Sequence, residues 1–489
     1  MRGRVSQQVA VSVVFVAAMF MSIMDVTIVN VALPTIGRDF HVRSTSVNGI
    51  SIAFQVSLAV FIPASGWLGD RFGGRRTLLS AIVIFTTASA LCGIASSLGE
   101  LVAFRVLQGV GGGMLAPVGM AMLFRAFPPE ERLRAASIVV GPTTLAPALG
   151  PVLGGLLVTE ANWRWVFFVN VPIGVAALAF GAVFLTDQPQ DDPGGFDLPG
   201  FLLSGLGLGA VMYGVSEGPI TSWGNADVLI SIAIGAGLLV TMVVVELHTS
   251  RPIVALRLLG NRLFRSATTA TVLVSIAFFG TLFLISLYYQ DARGLSALNS
   301  GLSTFPEALG VMLGAQLASR LLYPRLGPRR HVLLGLTGTT TAIALMALAG
   351  GQHTSLWWMR LLMFVLGLAM GQVFVPLNTA AFATISSHDT GRASTMFNAS
   401  RQLGGAVGVA VLTTAVVAVG ATHSVAGHVV PNVTAYRIAF LVAAGFCAAA
   451  LPAAASIVDS DAARTIPGWT RRMADRAGRP APPDEPVGA

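Results

Sequence analysis

Gly66-Trp67-Leu68-Gly69-Asp70-Arg71-Phe72-Gly73-Gly74-Arg75-Arg76 lies between two long apolar runs and carries most of the local charge. Four glycines, three arginines and one aspartate at that place predict a tight turn where two membrane helices leave the bilayer. The arginine heads would sit in the headgroup region and the backbones would pack closely. Positive charge alone would need only a membrane loop. Asp70, at the end of a helix, adds a carboxylate that can pair with a neighbouring helix in one conformation and release it in another. Gly66 and Gly69 fall where such a joint needs close approach.

The rest of the chain fits a membrane reading. Its 489 residues are 54% hydrophobic and only 11% charged, with a mean hydropathy of +0.75, too apolar for a soluble globule. All 30 basic residues counted as lysine or arginine are arginine. Without lysine there is no Walker A phosphate loop and no lysine Schiff base in this chain, so an ATP-driven pump would need another subunit. A net charge of +8 and a pI near 10.6 raise the question of nucleic acid. The arginines, however, punctuate apolar runs and form no basic domain, so membrane topology accounts for them. Cys92 and Cys447 lie in apolar runs with no paired spacing, and the seven histidines, placed in or beside loops, have no metal-binding spacing; neither a metal nor a cofactor is expected.

Apolar runs long enough to span occur near 9–33, 47–69, 77–97, 101–124, 135–158 and 164–186, then near 200–216 and 227–247, then near 266–289, 301–323, 331–350, 356–377, 393–420 and 435–458. These predict an all-α integral membrane protein of fourteen helices. An amino-terminal six-helix bundle covers 1–186, a linker with an inserted helix pair covers 187–265, and a second six-helix bundle covers 266–458. A disordered cytoplasmic tail would fill 459–489. Leaving out Arg105 and Arg401 inside helices, 22 arginines fall on the side of the amino terminus and six on the other, which puts both termini and the Gly66 to Arg76 turn in the cytoplasm. The acidic loop 187–199 departs from that bias and suggests no role. Gly73-Gly74-Arg75-Arg76 recurs as Gly327-Pro328-Arg329-Arg330, with Arg71 matching Arg325 but Asp70 falling opposite Pro324. Two related halves imply a cavity between them at mid-membrane depth.

Several residues inside the runs are costly there. Asp25, in Met24-Asp25-Val26-Thr27-Ile28-Val29-Asn30-Val31-Ala32-Leu33-Pro34, would cost about 2.5–3.5 kcal/mol as an ion on insertion scales. Arg105 opens Arg105-Val106-Leu107-Gln108-Gly109-Val110-Gly111-Gly112-Gly113 in the same outer half and is its natural partner, either as a structural pair or as one that couples movement to a proton. Glu307, after Pro306, is a second membrane acid and a candidate for proton or cation binding. Ala146-x-x-x-Gly150-Pro151-x-x-Gly154-Gly155 predicts a kinked helix packed closely on another. Arg401-Gln402-Leu403-Gly404-Gly405 predicts a charge facing protein or water. Gly205-Leu206-Gly207-Leu208-Gly209-Ala210 imitates a dinucleotide fingerprint but has no strand before it, so helix packing explains it.

With these motifs the chain resembles the fourteen-helix drug/proton antiporters of the major facilitator superfamily, the EmrB/QacA-like branch, over nearly all of residues 9 to 458. The resemblance implies the major facilitator fold and a secondary transporter, not an enzyme, that exports hydrophobic or cationic drugs in exchange for protons through the cell membrane. Its partners would be a small-molecule substrate, protons and lipid, with no nucleic acid and no ATPase subunit. It further implies a gating charge relay at Asp70 and Arg71, within a turn that includes Gly66, Gly69, Gly73, Arg75 and Arg76. Proton coupling would fall to Arg105 in the helix-four motif with Gln108 and Gly109, and recognition of protons or cationic substrate to Asp25. Antiport would involve Gly150-Pro151 with Gly154 and Gly155. Two positions depart from the family pattern: Gly74 stands where an arginine is usual and Ala146 where a glycine is usual. A dedicated exporter of one metabolite or self-made antibiotic, and a non-transporting membrane sensor, are the alternatives.

Overall fold

In the computed structural model, residues 6–42, 47–186, 195–249, 252–351, 354–386, 388–420, 422–425 and 428–466 are described. Their backbone is almost wholly helical, as apolar surroundings require when every N–H and C=O must be satisfied within its own segment. The long helices are α1 (Gln7–Asp39), α2 (Gly49–Phe72), α3 (Gly74–Ile94), α4 (Leu98–Ala126), α5 (Arg132–Glu160) and α6 (Asn170–Phe184). An inserted pair follows, α7 (Leu198–Glu217) and α8 (Ala226–His248). The second group is α9 (Arg262–Leu287), α10 (Ala297–Leu317), α11 (Tyr323–Ala349), α12 (Leu356–Phe382), α13 (Thr390–Val419) and α14 (Val433–Ala455). Thirteen described stretches are long and apolar enough to cross a membrane, and one of them, Leu298–Leu348, is a 51-residue stretch that takes in nearly all of α10 and α11.

Helix starts are set by short polar side chains. Ser6, Ser97, Asp197, Asn225, Asn261 and Ser296 each accept a backbone N–H from the first turn that follows. At α4, Glu100 also reaches back to the N–H of Ser96, closing a reciprocal cap. Gly73, with φ 88°, makes the abrupt junction of α2 and α3, and Gly327, with φ 73°, makes the matching bend within α11. An L side chain is strained at such φ values, which explains why glycine stands at both copies of the repeated turn.

Within the first group α1 packs on α4, α5 and α6, while α4 also packs on α2 and α3. Within the second, α12 packs on α10 and α11, and α14 on α9, α11 and α13. The groups meet along α2 with α13 and α5 with α10, so the second helix of each group faces the fifth of the other, the pattern of a two-fold repeat. The inserted pair breaks that symmetry. Helix α7 lies against α2 and α13, and α8, the least buried of the spanning stretches, packs mainly on α7. A small hairpin, β1 (Thr422–Val425) with β2 (His428–Pro431), joins α13 to α14 and has no counterpart among the sequence expectations.

The structure modifies four sequence expectations. Inside the run expected near 301–323 the helix widens into the π turn Ala318–Leu322, and the chain then bends at Gly327 (φ 73°, ψ 167°), within the connection expected between the runs near 301–323 and 331–350. His331, expected beside a loop, is buried in α11 and bonds Gln372 of α12 through Nε2. The tail expected to be disordered begins as packed chain: Thr465 and Ile466 are buried, and Tyr323 and Thr465 share a hydroxyl contact of 2.8 Å. Residues 467–489, and 187–194 of the acidic loop, lie outside the described residues. Finally, the second turn does not go without an acid. Asp459, beyond α14, wraps Gly327 and accepts the Arg329 N–H at 2.9 Å, supplying from the tail the carboxylate that Pro324 cannot.

Candidate functional site

Two sites emerge when the side chains are followed from their helices. The first lies within the amino-terminal group. Asp25, on α1, is fully buried, and Arg105, on α4, is 1% exposed. Arg105 Nη1 donates to Asp25 Oδ2 in a close ion pair. Asp25 Oδ1 receives 2.9 Å bonds from Gln108 Nε2 and from Asn170 Nδ2. Gln108 Oε1 in turn accepts from Arg105 Nη1 at 2.7 Å, and Asn170 Nδ2 also reaches Ser89 Oγ at 3.1 Å. The guanidinium caps this cluster by lying 4.3 Å from the Phe54 ring centroid, and Arg105 Nε donates to the Ile50 carbonyl at 3.3 Å.

One cation and two amide donors converge on the Asp25 carboxylate, and with the group fully buried these protein groups stand in for water as its partners. A proton arriving on Asp25 would cancel its charge, remove an acceptor from the amides and free the guanidinium. Four helices, α1, α3, α4 and α6, contribute polar side chains to the cluster, so their relative positions are tied to one carboxyl group. Gly109, one residue after Gln108, lets α4 approach α2 so closely that a Cβ would meet Ser57 at 2.6 Å and the Phe54 carbonyl at 2.7 Å. Asn170 and Ser89 were not singled out in the sequence. An amide inside the apolar run 164–186 was the available signal for Asn170.

The second site closes the arginine-rich end, where the Gly66 to Arg76 turn lies. Asp70 Oδ1 accepts from Arg125 Nη2 of α4 at 2.7 Å, both side chains being largely buried. The pair lies against the first turn of α13. A Cβ on Gly391 would come within 3.0 Å of Asp70 Oδ1, and one on Gly66 within 3.1 Å of the Gly391 carbonyl. The positive end of the α13 dipole thus faces the Asp70 carboxylate across the boundary between the halves. Further bonds cross the same boundary: Ser394 Oγ to the Pro117 carbonyl at 2.7 Å, Ser65 Oγ with Thr395 Oγ1 at 3.2 Å, and Arg132 Nη1 to the Phe382 carbonyl at 2.6 Å. Gly69 faces Val118, while Arg75 Nη2 turns to the Ala182 carbonyl at 2.8 Å and holds the turn to α6. Arg71 and Arg76 are exposed on the turn.

The remaining sequence candidates fall apart from these clusters. Glu307 on α10 is 2% exposed, and its Oε1 has no hydrogen-bond partner among the described residues. Arg360, near the start of α12, donates Nε and Nη2 to Ser303 Oγ at 3.3 Å, one turn before Glu307. Gly150 and Gly154 face Thr27 and Ile28 of α1, and Pro151 meets Gly301 of α10. Gly155 faces open space, so close approach does not account for it. Arg401 on α13 is half-buried and reaches Asn398 Oδ1 at 3.4 Å, with Gln402 beside it also half-buried. Gly404 and Gly405 fit α13 against Val272, Ser275 and Phe279 of α9. Because a Cβ on Gly150 would collide with the Thr27 side chain, Gly150→Val should destabilise the α1–α5 contact by about 1–3 kcal/mol. Thermal unfolding of the purified variant would check this, a wild-type midpoint contradicting it.

A chain of paired six-helix groups that meet second helix to fifth, with a charged cluster inside one and a charged joint between them, is built as a secondary transporter. The Major Facilitator Superfamily model matches residues 15–409, and the chain belongs to that family. It is 35% identical over 406 residues to the multidrug resistance protein B homolog of Mycobacterium tuberculosis, covering 82% of this chain and 74% of that one. It is 32% identical over 409 residues to the tetracenomycin C resistance and export protein of Streptomyces glaucescens, covering 83% and 74%. The multidrug export protein EmrB of Haemophilus influenzae is 32% identical over 402 residues, covering 81% and 78%. Among solved structures, the human organic anion transporter MFSD10 superposes with a TM-score of 0.65 at 16% identity, over 91% of this chain and 99% of that one, a likeness of fold alone.

Proposed function

We propose that this multi-pass membrane protein is a proton-coupled exporter of hydrophobic or cationic drugs, working by alternating access in the cell membrane with both termini in the cytoplasm. The observation that carries the reading is the enclosed carboxylate of Asp25, bound by Arg105 and Gln108 of α4 and Asn170 of α6. Proton uptake there changes what four helices share. Release of Asp70 from the first turn of α13 then opens the arginine-rich end. A proton entering down 100 mV supplies roughly 2.3 kcal/mol, which sustains about a 50-fold gradient of a neutral substrate. No ATPase subunit is required by that energetics. The relatives named for multidrug resistance and export support a drug as the cargo. The test is transport in proteoliposomes across an imposed pH gradient with lipophilic cations and neutral antibiotics. Gradient-driven accumulation of at least one of these supports the reading, and binding without flux would favour a sensor.

A narrower reading has one specific observation in its favour, the relative from Streptomyces glaucescens named for export of tetracenomycin C. Resistance profiling separates the two: protection against many unrelated compounds fits a broad exporter, and protection against one scaffold fits a dedicated one. Glu307 is assigned a second protonation role, because a buried carboxyl oxygen without a partner is best kept neutral. Glu307→Gln should fold normally and alter the pH dependence of transport or the handling of cationic substrates. Unchanged pH dependence and substrate range would leave Glu307 structural.

A further inference from the structure

The inserted helix pair carries two carboxylates that neither the coupling cluster nor the gating joint uses. Asp197 stands immediately before α7, and Glu246 lies two residues before the C-terminal end of the same pair's second helix, α8. Asp197 Oδ1 caps α7 through the Gly200 N–H at 2.9 Å, and its Oδ2 accepts the Ile253 N–H at 3.2 Å. Glu246 Oε1 accepts the N–H of the next residue, Val254, at 3.1 Å. Two acids from two helices thus grip consecutive amides of the connector that leads to α9. A Cβ on Gly200 would lie 2.3 Å from Asp197 Oδ2 and 2.5 Å from Glu246 Oε1. The two oxygens are therefore within about 5 Å of each other, close enough for one charge to oppose the other.

The surroundings distinguish the two groups. Asp197 sits at a helix N-terminus, where an anion is stabilised by the dipole, and both its oxygens accept backbone N–H groups. Glu246 sits in the last turn of α8, where the dipole opposes an anion. It is 3% exposed, and its Oε2 is buried with no hydrogen-bond partner among the described residues. The charged groups that face Glu246 are Asp197 and, from α13, Arg392. His248 on its own helix is turned to the Val244 carbonyl, and Ser250 and Arg251 lie outside the described residues.

We infer that Asp197 and Glu246 form a proton-binding site that holds one proton between them and clamps the inserted pair to the connector before α9. The proton passes from hydronium at the arginine-rich end to Glu246 Oε2, forming one O–H bond and leaving water. With the proton bound, the pair keeps a single negative charge, which Asp197 carries at the α7 cap. Without it, two adjacent anions oppose each other beneath the connector. Arg257 continues the connector to Asp389 with a 3.0 Å ion pair, two residues before the Gly391 that abuts Asp70, so the clamp is mechanically joined to the gating end. The proton site is a property of the inserted pair and holds whether or not the chain exports drugs.

Infrared difference spectroscopy of the purified full-length chain tests it, reading the protonated-carboxyl C=O stretch and its shift on deuteration across a pH series. Wild type minus Glu246→Gln at pH near neutral should contain one such band, and Asp25→Asn should leave that band in place. Asp197→Asn keeps a capping side chain but loses the charge, so the band should titrate away at a proton concentration about tenfold or more higher than in wild type. No band lost in Glu246→Gln, or a midpoint unmoved in Asp197→Asn, would overturn the assignment. Should Glu246→Gln not fold, the Asp197→Asn titration decides alone.

Discussion

Asp25→Asn should abolish proton-driven accumulation while leaving downhill exchange of neutral substrates, and Arg105→Ala should produce the same defect. Asparagine can still accept from Gln108 and Asn170 but offers Arg105 no charge, so the cluster can no longer distinguish protonated from ionised. Removing Arg105 leaves a buried carboxylate without its cation, a change that costs about 3–5 kcal/mol while the charge remains. Burial of that kind is relieved by neutralising the acid, so both substitutions arrive at the same uncharged site. The double variant should therefore be no worse than either single one, because groups that act as one unit are not additive. Flux at several pH gradients for wild type and the three variants measures this. Independent, additive losses would mean that Asp25 and Arg105 do not work as a pair.

Asp70→Asn should abolish transport without affecting membrane insertion. The carboxylate binds Arg125 on one side and faces the first turn of α13 on the other, so it is the charged element of the boundary between the halves at the arginine-rich end. An amide keeps the shape but loses both the ion pair and the favourable dipole contact. Arg125 is then left largely buried without its anion, and the closed arrangement shown here loses its main electrostatic support. Gly391→Val should mimic the defect from the opposite face, since its side chain would enter the space now filled by the Asp70 carboxylate. Substrate flux together with surface expression reads the outcome. Full transport by Asp70→Asn would remove the switch role.

Much of the architecture was legible because membranes impose a simple rule: a helix must be long and apolar, and its ends must be polar. The runs near 9–33 and 135–158 mark α1 and α5, although each helix extends beyond its apolar run into amphipathic turns. The π turn Ala318–Leu322 was less legible, because it lies inside the apolar run near 301–323 and nothing in the residue pattern marks where a helix widens before the bend at Gly327.

Within the site, Asp25 and Arg105 were conspicuous because each is a charge in an apolar run. Asn170 and Ser89 were not, since a neutral polar side chain costs too little in a helix to stand out and its partner lies on another helix. Arg125 was counted as one more basic residue of a loop, because pairing with Asp70 depends on how α2 and α4 cross. Asp459 is the clearest case of information that sequence position hides. The repeat predicts an acid at Pro324 and finds none, while the carboxylate at Gly327 comes from a segment more than a hundred residues later.

Proton movement driven by substrate is the most direct measurement of the coupling assigned to Asp25. Liposomes containing the purified chain and a pH-sensitive dye would be given a gradient of a transported drug with no pH difference imposed. Wild type should move protons opposite to the drug, and Asp25→Asn should move the drug with no accompanying pH change. Proton movement in Asp25→Asn equal to that of wild type would contradict the account.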